Sequence, residues 1–148
     1  LTIQNIDAKQ VMTIENLTSF HDLSLNDNFY IYTNGFHNHA IQQFLIKLSD
    51  FLGDEVNYLH FGDIDAGGFH IYNDLCKKTH IPFQMYHMDV DTLKKYDTYT
   101  KKLTKNDRKR LKSMKNNEVI TYMLKNNVKL EQEIVGENEN ERKDINTY

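Results

Sequence analysis

The chain has 148 residues, 39% hydrophobic and 26% charged, with six glycines and one proline. That excludes collagen-like, low-complexity and globally disordered classes and fits one domain with its own core. Net charge is -3, unevenly spread: residues 1–93 hold 4 basic and 12 acidic side chains, residues 94–115 hold 10 basic and 2 acidic, and residues 116–148 hold 4 basic and 7 acidic. An acidic body joined to a basic stretch suits a metal site beside a polyanion-binding arm, or else a solvated helical face.

No apolar run approaches the roughly 18 residues needed to span a bilayer. Leu1-Thr2-Ile3-Gln4-Asn5 lacks the basic start of a signal peptide. The first residue is not Met, so the chain is expected to be a fragment of a longer protein. Cys76 is the single cysteine, which excludes an intramolecular disulfide and points to a reducing, cytoplasmic setting.

In chain order, Gln10–Ile14 reads as a short apolar strand ending at Glu15. Phe29–Tyr32 reads as a second, closed by the turn dipeptide Asn34-Gly35. Ile41, Phe44, Leu45, Leu48, Phe51 and Leu52 recur at helical spacing, and Gly53 stands where a helix end favours glycine. Val56–Phe61 is the third strand, 62–68 a turn, and Phe69, Tyr72, Leu75 and Cys76 mark one face of a second helix. Pro82 breaks the chain before a fourth strand at Phe83–Tyr86. Beyond Met88 the pattern predicts helices near Asp91–Tyr96, Asp107–Met114 and Glu118–Glu133, then a frayed polar tail over residues 136–148. The alternation predicts an α/β domain over residues 1–135, with a small, mostly parallel four-stranded sheet flanked by helices and a helical C-terminal part.

The strongest chemical signal is Gly62-Asp63-Ile64-Asp65-Ala66-Gly67-Gly68, between an apolar strand and an amphipathic helix. Residues two apart in an extended segment point the same way, so Asp63 and Asp65 can converge on one cation. Gly67 and Gly68 would let a phosphate approach the helix N-terminus. The plainer alternative is that Asp65 caps the helix while Asp63 satisfies the turn. A calcium loop fits poorly, because a strand precedes the motif, Gly67 is fifth and Asp74 is twelfth. Glu15-Asn16 ends the first strand, and a neighbouring parallel strand would bring Glu15 to the same sheet edge. Three carboxylates there would suit Mg²⁺ or Mn²⁺. Zinc at His37-Asn38-His39 has no cysteine partner nearby. The tyrosines fall in core-like patterns and identify no nucleophile.

Four stretches together form a recognisable pattern: Thr13-Ile14-Glu15-Asn16-Leu17-Thr18-Ser19-Phe20, Tyr32-Thr33-Asn34-Gly35-Phe36, His60-Phe61-Gly62-Asp63-Ile64-Asp65-Ala66-Gly67-Gly68-Phe69 and Leu130-Glu131-Gln132-Glu133. This resembles the C-terminal Toprim-like domain of the JetD family, the D subunit of the Wadjet anti-plasmid system. That family was formerly of unknown function and is akin to the Toprim domain of the topoisomerase VI A subunit.

The resemblance implies a Toprim fold and Mg²⁺- or Mn²⁺-dependent DNA cleavage. Glu15 matches the family's acid/base glutamate, Asp63 and Asp65 its metal-binding aspartates, and Glu131 and Glu133 its late acidic motif. Glu133 is thereby a further metal ligand, with Asn16, Gly35 and Glu131 in support. His37 and Ala66 stand where the family favours proline. Expected partners are double-stranded DNA, an SMC-type complex and a second copy of the chain, with no membrane. The family's N-terminal DNA-binding region is expected to lie outside this chain. Lys105, Arg108, Lys109 and Lys112 would hold the DNA backbone. The competing reading is a non-catalytic DNA-binding or assembly module with an idle acidic site. A small-molecule phosphohydrolase would need a closed pocket that these short loops hardly supply.

Overall fold

The computed structural model describes residues 9–16, 28–35 and 37–136. Residues 17–20, Phe36 and all of the tail expected over 136–148 except Gly136, which is helical and buried, lie outside the described residues. Four strands, β1 (Gln10–Ile14), β2 (Asn28–Tyr32), β3 (Asn57–Phe61) and β4 (Gln84–Met85), form a sheet in the order β2-β1-β3-β4. Every pairing is parallel. The expected α/β architecture is therefore met, with an all-parallel sheet among the described residues.

Parallel neighbours need crossovers, and helices supply them. Helix α1 (His39–Leu52) is capped at its start by Asn38, whose side chain accepts from the Ile41 amide, and closed by Gly53 at φ 74°. Helix α2 (Ala66–Thr79) joins β3 to β4. The sheet is buried on both faces. Val11, Tyr58 and Phe83 pack with Leu45, Leu48 and Leu75 of α1 and α2. Met12, Ile14 and Phe61 pack on the opposite side with Leu111, Met123 and Leu130. Strand alternation assigns Val11 and Met12 to opposite faces.

Two differences from the expected elements matter. Strand β4 is cut to two residues, because Phe83 turns into the core and Pro82 before it has no amide to donate. The last part holds α3 (Val90–Lys95), α4 (Lys105–Ser113) and α5 (Glu118–Asn126), so the helix expected over Glu118–Glu133 stops early. Asn127 takes the left-handed conformation at φ 58° and ends it. The chain then doubles back: Leu130 pairs antiparallel with Ile64 and Lys129 with Lys101. Residues 132–136 are helical again. No helix among the described residues is long and apolar enough to cross a membrane.

Candidate active site

The chain runs from β1 to one side of the sheet and from β3 to the other, so the crevice between their carboxyl ends is a topological switch point, where open α/β sheets hold ligands. Glu15 is the first residue after β1 and its amide donates to the Phe61 carbonyl at 3.2 Å. Asp63 lies two residues beyond β3. Gly35, at φ 78°, sends its amide to the Glu15 carbonyl at 3.0 Å, so the turn after β2 braces the same point.

Alternation and register dictate what Glu15 meets. Thr13 pairs in register with His60, both lie on the α1 side of the sheet, and Glu15 follows Thr13 by two. Glu15 Oε1 accordingly sits 2.7 Å from His60 Nε2, and His60 Nδ1 sits 2.7 Å from Thr13 Oγ1. His60 is fully buried and Glu15 nearly so. Burial, then the Asp65 charge, pushes the Glu15 carboxyl up to about 8. Burial pulls His60 down to about 4. Burial thus pushes both partners of this hydrogen bond toward their uncharged forms.

Asp65 caps α2: its Oδ1 accepts from the Gly68 amide at 2.7 Å. The plainer of the two sequence readings of Asp65 is thus present, and the Gly68 amide offered to phosphate is already engaged. Gly68 has a steric reason to be glycine, since a Cβ there would lie 1.9 Å from the Asp63 carbonyl oxygen. Gly62 has another, as its Cβ would lie 2.2 Å from Glu15 Oε1.

Asp63 faces a different neighbour. Its Oδ1 accepts from the Gln132 amide at 2.7 Å. That bond exists because Ile64 and Leu130 exchange backbone hydrogen bonds of 2.9 and 3.1 Å, and Lys101 and Lys129 exchange bonds of 2.9 and 2.8 Å. The clamp carries Glu131 and Glu133 to Asp63, and with Asn16 these three line an acidic cleft of about 220 Å³. Asn16 Nδ2 donates to Glu133 Oε1, and Lys101 Nζ to Glu131 Oε1, each at 2.7 Å. Burial raises the Asp63 carboxyl to about 6; the Gln132 hydrogen bond opposes this and the Asp65, Glu15 and Glu131 charges add to it.

Glu15, Asp63 and Asp65 lie close enough for their charges to act on one another, but each has its own hydrogen-bond partner. Glu15 turns inward to His60, Asp65 turns to the α2 N-terminus, and Asp63 groups with Glu131, Glu133 and Asn16. Among the described residues no group of three or more His, Cys, Asp or Glu side chains is arranged to hold a metal ion. The cleft does fit a hard cation by donor type, since every side chain lining it carries oxygen. Mg²⁺ takes one or two protein carboxylates and keeps several waters.

The basic segment divides as well. Lys105, Lys109 and Lys112 are exposed and, at spacings of four and three, share one stripe of α4. Arg108 is not part of it. Its guanidinium donates to the Leu124 carbonyl at 3.3 Å and to Asn127 Oδ1 at 3.0 Å, closing the C-terminus of α5.

A family described as Wadjet protein JetD, C-terminal, matches residues 1–143. The chain belongs to this family. The Wadjet protein JetD of Bacillus cereus (strain Q1) is 32% identical over 148 residues, which take in 93% of this chain and 36% of that protein. The chain thus spans about a third of the length of that curated relative.

In this JetD C-terminal chain, four residues besides the acidic ones complete the site: Thr13, His60 and Gly62, within the quoted motifs, and Lys101, outside them. Strand alternation with a one-to-one β1–β3 register would have paired Thr13 and Glu15 with His60. Nothing local in the sequence announces Lys101, because its contact comes from the non-local pairing with Lys129.

Proposed function

We propose that this chain is the metal-dependent DNA endonuclease domain, of Toprim type, in a plasmid-defence complex. The observation that carries this reading is the acidic cleft of Asp63, Glu131, Glu133 and Asn16 at the switch point, directly beside the buried Glu15–His60 pair. Asp63 and Glu133 would hold Mg²⁺ or Mn²⁺, with Glu131 joining them once it lets go of Lys101. Asp65 and Glu15 bond to Gly68 and His60 through one carboxyl oxygen each, and would join through the other. The metal supplies charge neutralisation at a scissile phosphate and a more acidic bound water.

Hydrolysis adds a water oxygen to phosphorus and breaks a bridging P–O bond, so one proton must leave the water and one must reach the departing deoxyribose oxygen. Glu15, whose carboxyl burial pushes toward the protonated form, suits delivery of the proton to the departing oxygen, with His60 orienting it, while the attacking water's proton would pass to solvent. The exposed lysines of α4 suit the phosphate backbone of duplex DNA. Family membership supports a role in the anti-plasmid system, with an SMC-type complex and a second copy of the chain as the assemblies to test.

The deciding experiment is DNA cleavage by the full-length protein with its partners. Asp63→Asn should abolish cutting and also the rise in melting temperature caused by millimolar Mn²⁺. Retained cutting by this variant would sink the nuclease reading. A second reading, a DNA-binding or assembly module with an idle acidic site, draws on Asp65 acting as a cap and Glu15 bonding inward. It expects DNA binding with no response to Mn²⁺.

A further inference from the structure

We propose that Lys101 is the phosphate-contacting cation of the cleft, parked on Glu131 and released to substrate when a divalent cation takes that carboxylate. This rests on the nuclease reading and assigns a residue that the acidic motifs do not contain.

Three observations combine. First, the backbone of Lys101 is fixed to the site. Its amide and carbonyl exchange hydrogen bonds of 2.9 and 2.8 Å with Lys129, next to the Leu130–Ile64 pair that holds Asp63 in place. Second, its side chain is tethered weakly. Nζ lies 2.7 Å from Glu131 Oε1, but the Lys101 and Glu131 side chains are 60% and 50% exposed. Exposed pairs of this kind are weak, so the bond is easily exchanged and explains little of the fold's stability. Third, two other cations of this region, Lys129 and Arg108, are committed elsewhere. Lys129 bonds Asp107 at 2.7 Å, and Arg108 closes α5.

Charge makes the exchange favourable. Asp63, Glu131 and Glu133 present three carboxylates to an incoming phosphodiester. A divalent cation offsets two of those charges, and the lysine offsets the third. Once Glu131 turns to the metal, the ammonium loses its partner at the edge of the cleft, where a non-bridging phosphate oxygen can replace it. No covalent step is involved.

The test compares Lys101→Met, Lys101→Arg and Glu131→Gln in the full-length protein, reading Mn²⁺ affinity without DNA and duplex cleavage at saturating Mn²⁺. Lys101→Met removes a competitor for Glu131, so Mn²⁺ should bind about twofold to fivefold more tightly. Cleavage should nevertheless fall by about tenfold to a hundredfold. Lys101→Arg should restore part of the cleavage, and Glu131→Gln should weaken Mn²⁺ binding. Opposite signs for metal and cleavage are what a merely structural lysine would not produce. Unchanged cleavage in a folded Lys101→Met, or weaker Mn²⁺ binding, overturns the proposal. Failure of the unaltered protein to bind Mn²⁺ or cut DNA overturns the nuclease reading itself and the proposal with it.

Discussion

Glu15 Oε1 and His60 Nε2 share a single 2.7 Å hydrogen bond beneath the carboxyl edge of the sheet, and both side chains are buried. Their titrations run in opposite directions. Glu15 is raised from 4.5 to about 8, chiefly by burial. Between those values the folded state holds a proton that the unfolded state has lost, so its contribution to stability falls as pH rises. His60 is lowered from 6.5 to about 4, also by burial, so its contribution is lost as pH falls through that window. The two slopes oppose each other below about 6.5, and above it only the Glu15 slope remains up to about pH 8. Melting temperature without metal should therefore decline from pH 6.5 to 8. Glu15→Gln keeps a polar partner for His60 and cannot ionise. It should flatten that decline and melt higher than the unaltered chain at pH 9, by about 2–4 °C for each kcal/mol recovered. Parallel melting curves for the two proteins between pH 6.5 and 9 would show that Glu15 is ionised throughout.

Two glycines of the same turn should separate fold from site. A Cβ at Gly68 would meet backbone, 1.9 Å from the Asp63 carbonyl oxygen, and neither segment can move without breaking the α2 cap. Gly68→Ala should cost about 1–3 kcal/mol or more, as overpacking does. A Cβ at Gly62 would meet the end of the Glu15 side chain, 2.2 Å away, and a side chain can swing aside. Gly62→Ala should leave a folded protein whose Glu15 no longer reaches His60, with cleavage lost. Thermal melts and cleavage assays on the pair check this. Equal melting losses in both variants would refute the distinction.

Gln132 combines a needed backbone with an ill-served side chain. Its amide holds Asp63 Oδ1, whereas its buried side-chain oxygen and nitrogen both lack a hydrogen-bond partner. Such groups cost about 1–3 kcal/mol when buried unpaired. Gln132→Met preserves the main-chain bond and fills similar volume, so it should raise the melting temperature and leave metal affinity near that of the unaltered chain. A lower melting temperature would mean that the amide is satisfied by ordered water.

The sheet and its acidic edge were legible because their causes are local. Short apolar strands, Asn34-Gly35, Gly53 and the glycines after Asp63 each state a backbone preference. What was not legible depends on distant partners. Asn127 in the left-handed conformation converts an apparent helix over Glu118–Glu133 into a helix, a return strand-like pairing and a further helical turn. That pairing brings Glu131 and Glu133 to Asp63, which the Asp65 and Glu15 charges also reach. The assignment of Asp65 to a cap was visible as an alternative, but its choice depends on whether the α2 N-terminus has another partner, which only the fold decides.

The basic segment yields the last expectation. Lys105, Lys109 and Lys112 form an exposed stripe on α4, and Arg108 on the same helix spends its guanidinium on Leu124 and Asn127. Charge reversal of the three lysines to Glu should therefore weaken binding to every duplex sequence alike. If each lysine neutralises one phosphate, the slope of log affinity against log salt should flatten by about two to three units, since each phosphate contributes about -0.9. Arg108→Ala should instead lower the melting temperature, because the α5 C-terminus loses two hydrogen bonds, and should leave the salt slope nearly unchanged. Salt titrations of labelled duplex with the full-length protein, run beside thermal melts, separate the two effects. An unchanged slope in the triple variant would reduce the stripe to a solvated helix face. DNA contact would then fall to other parts of the protein.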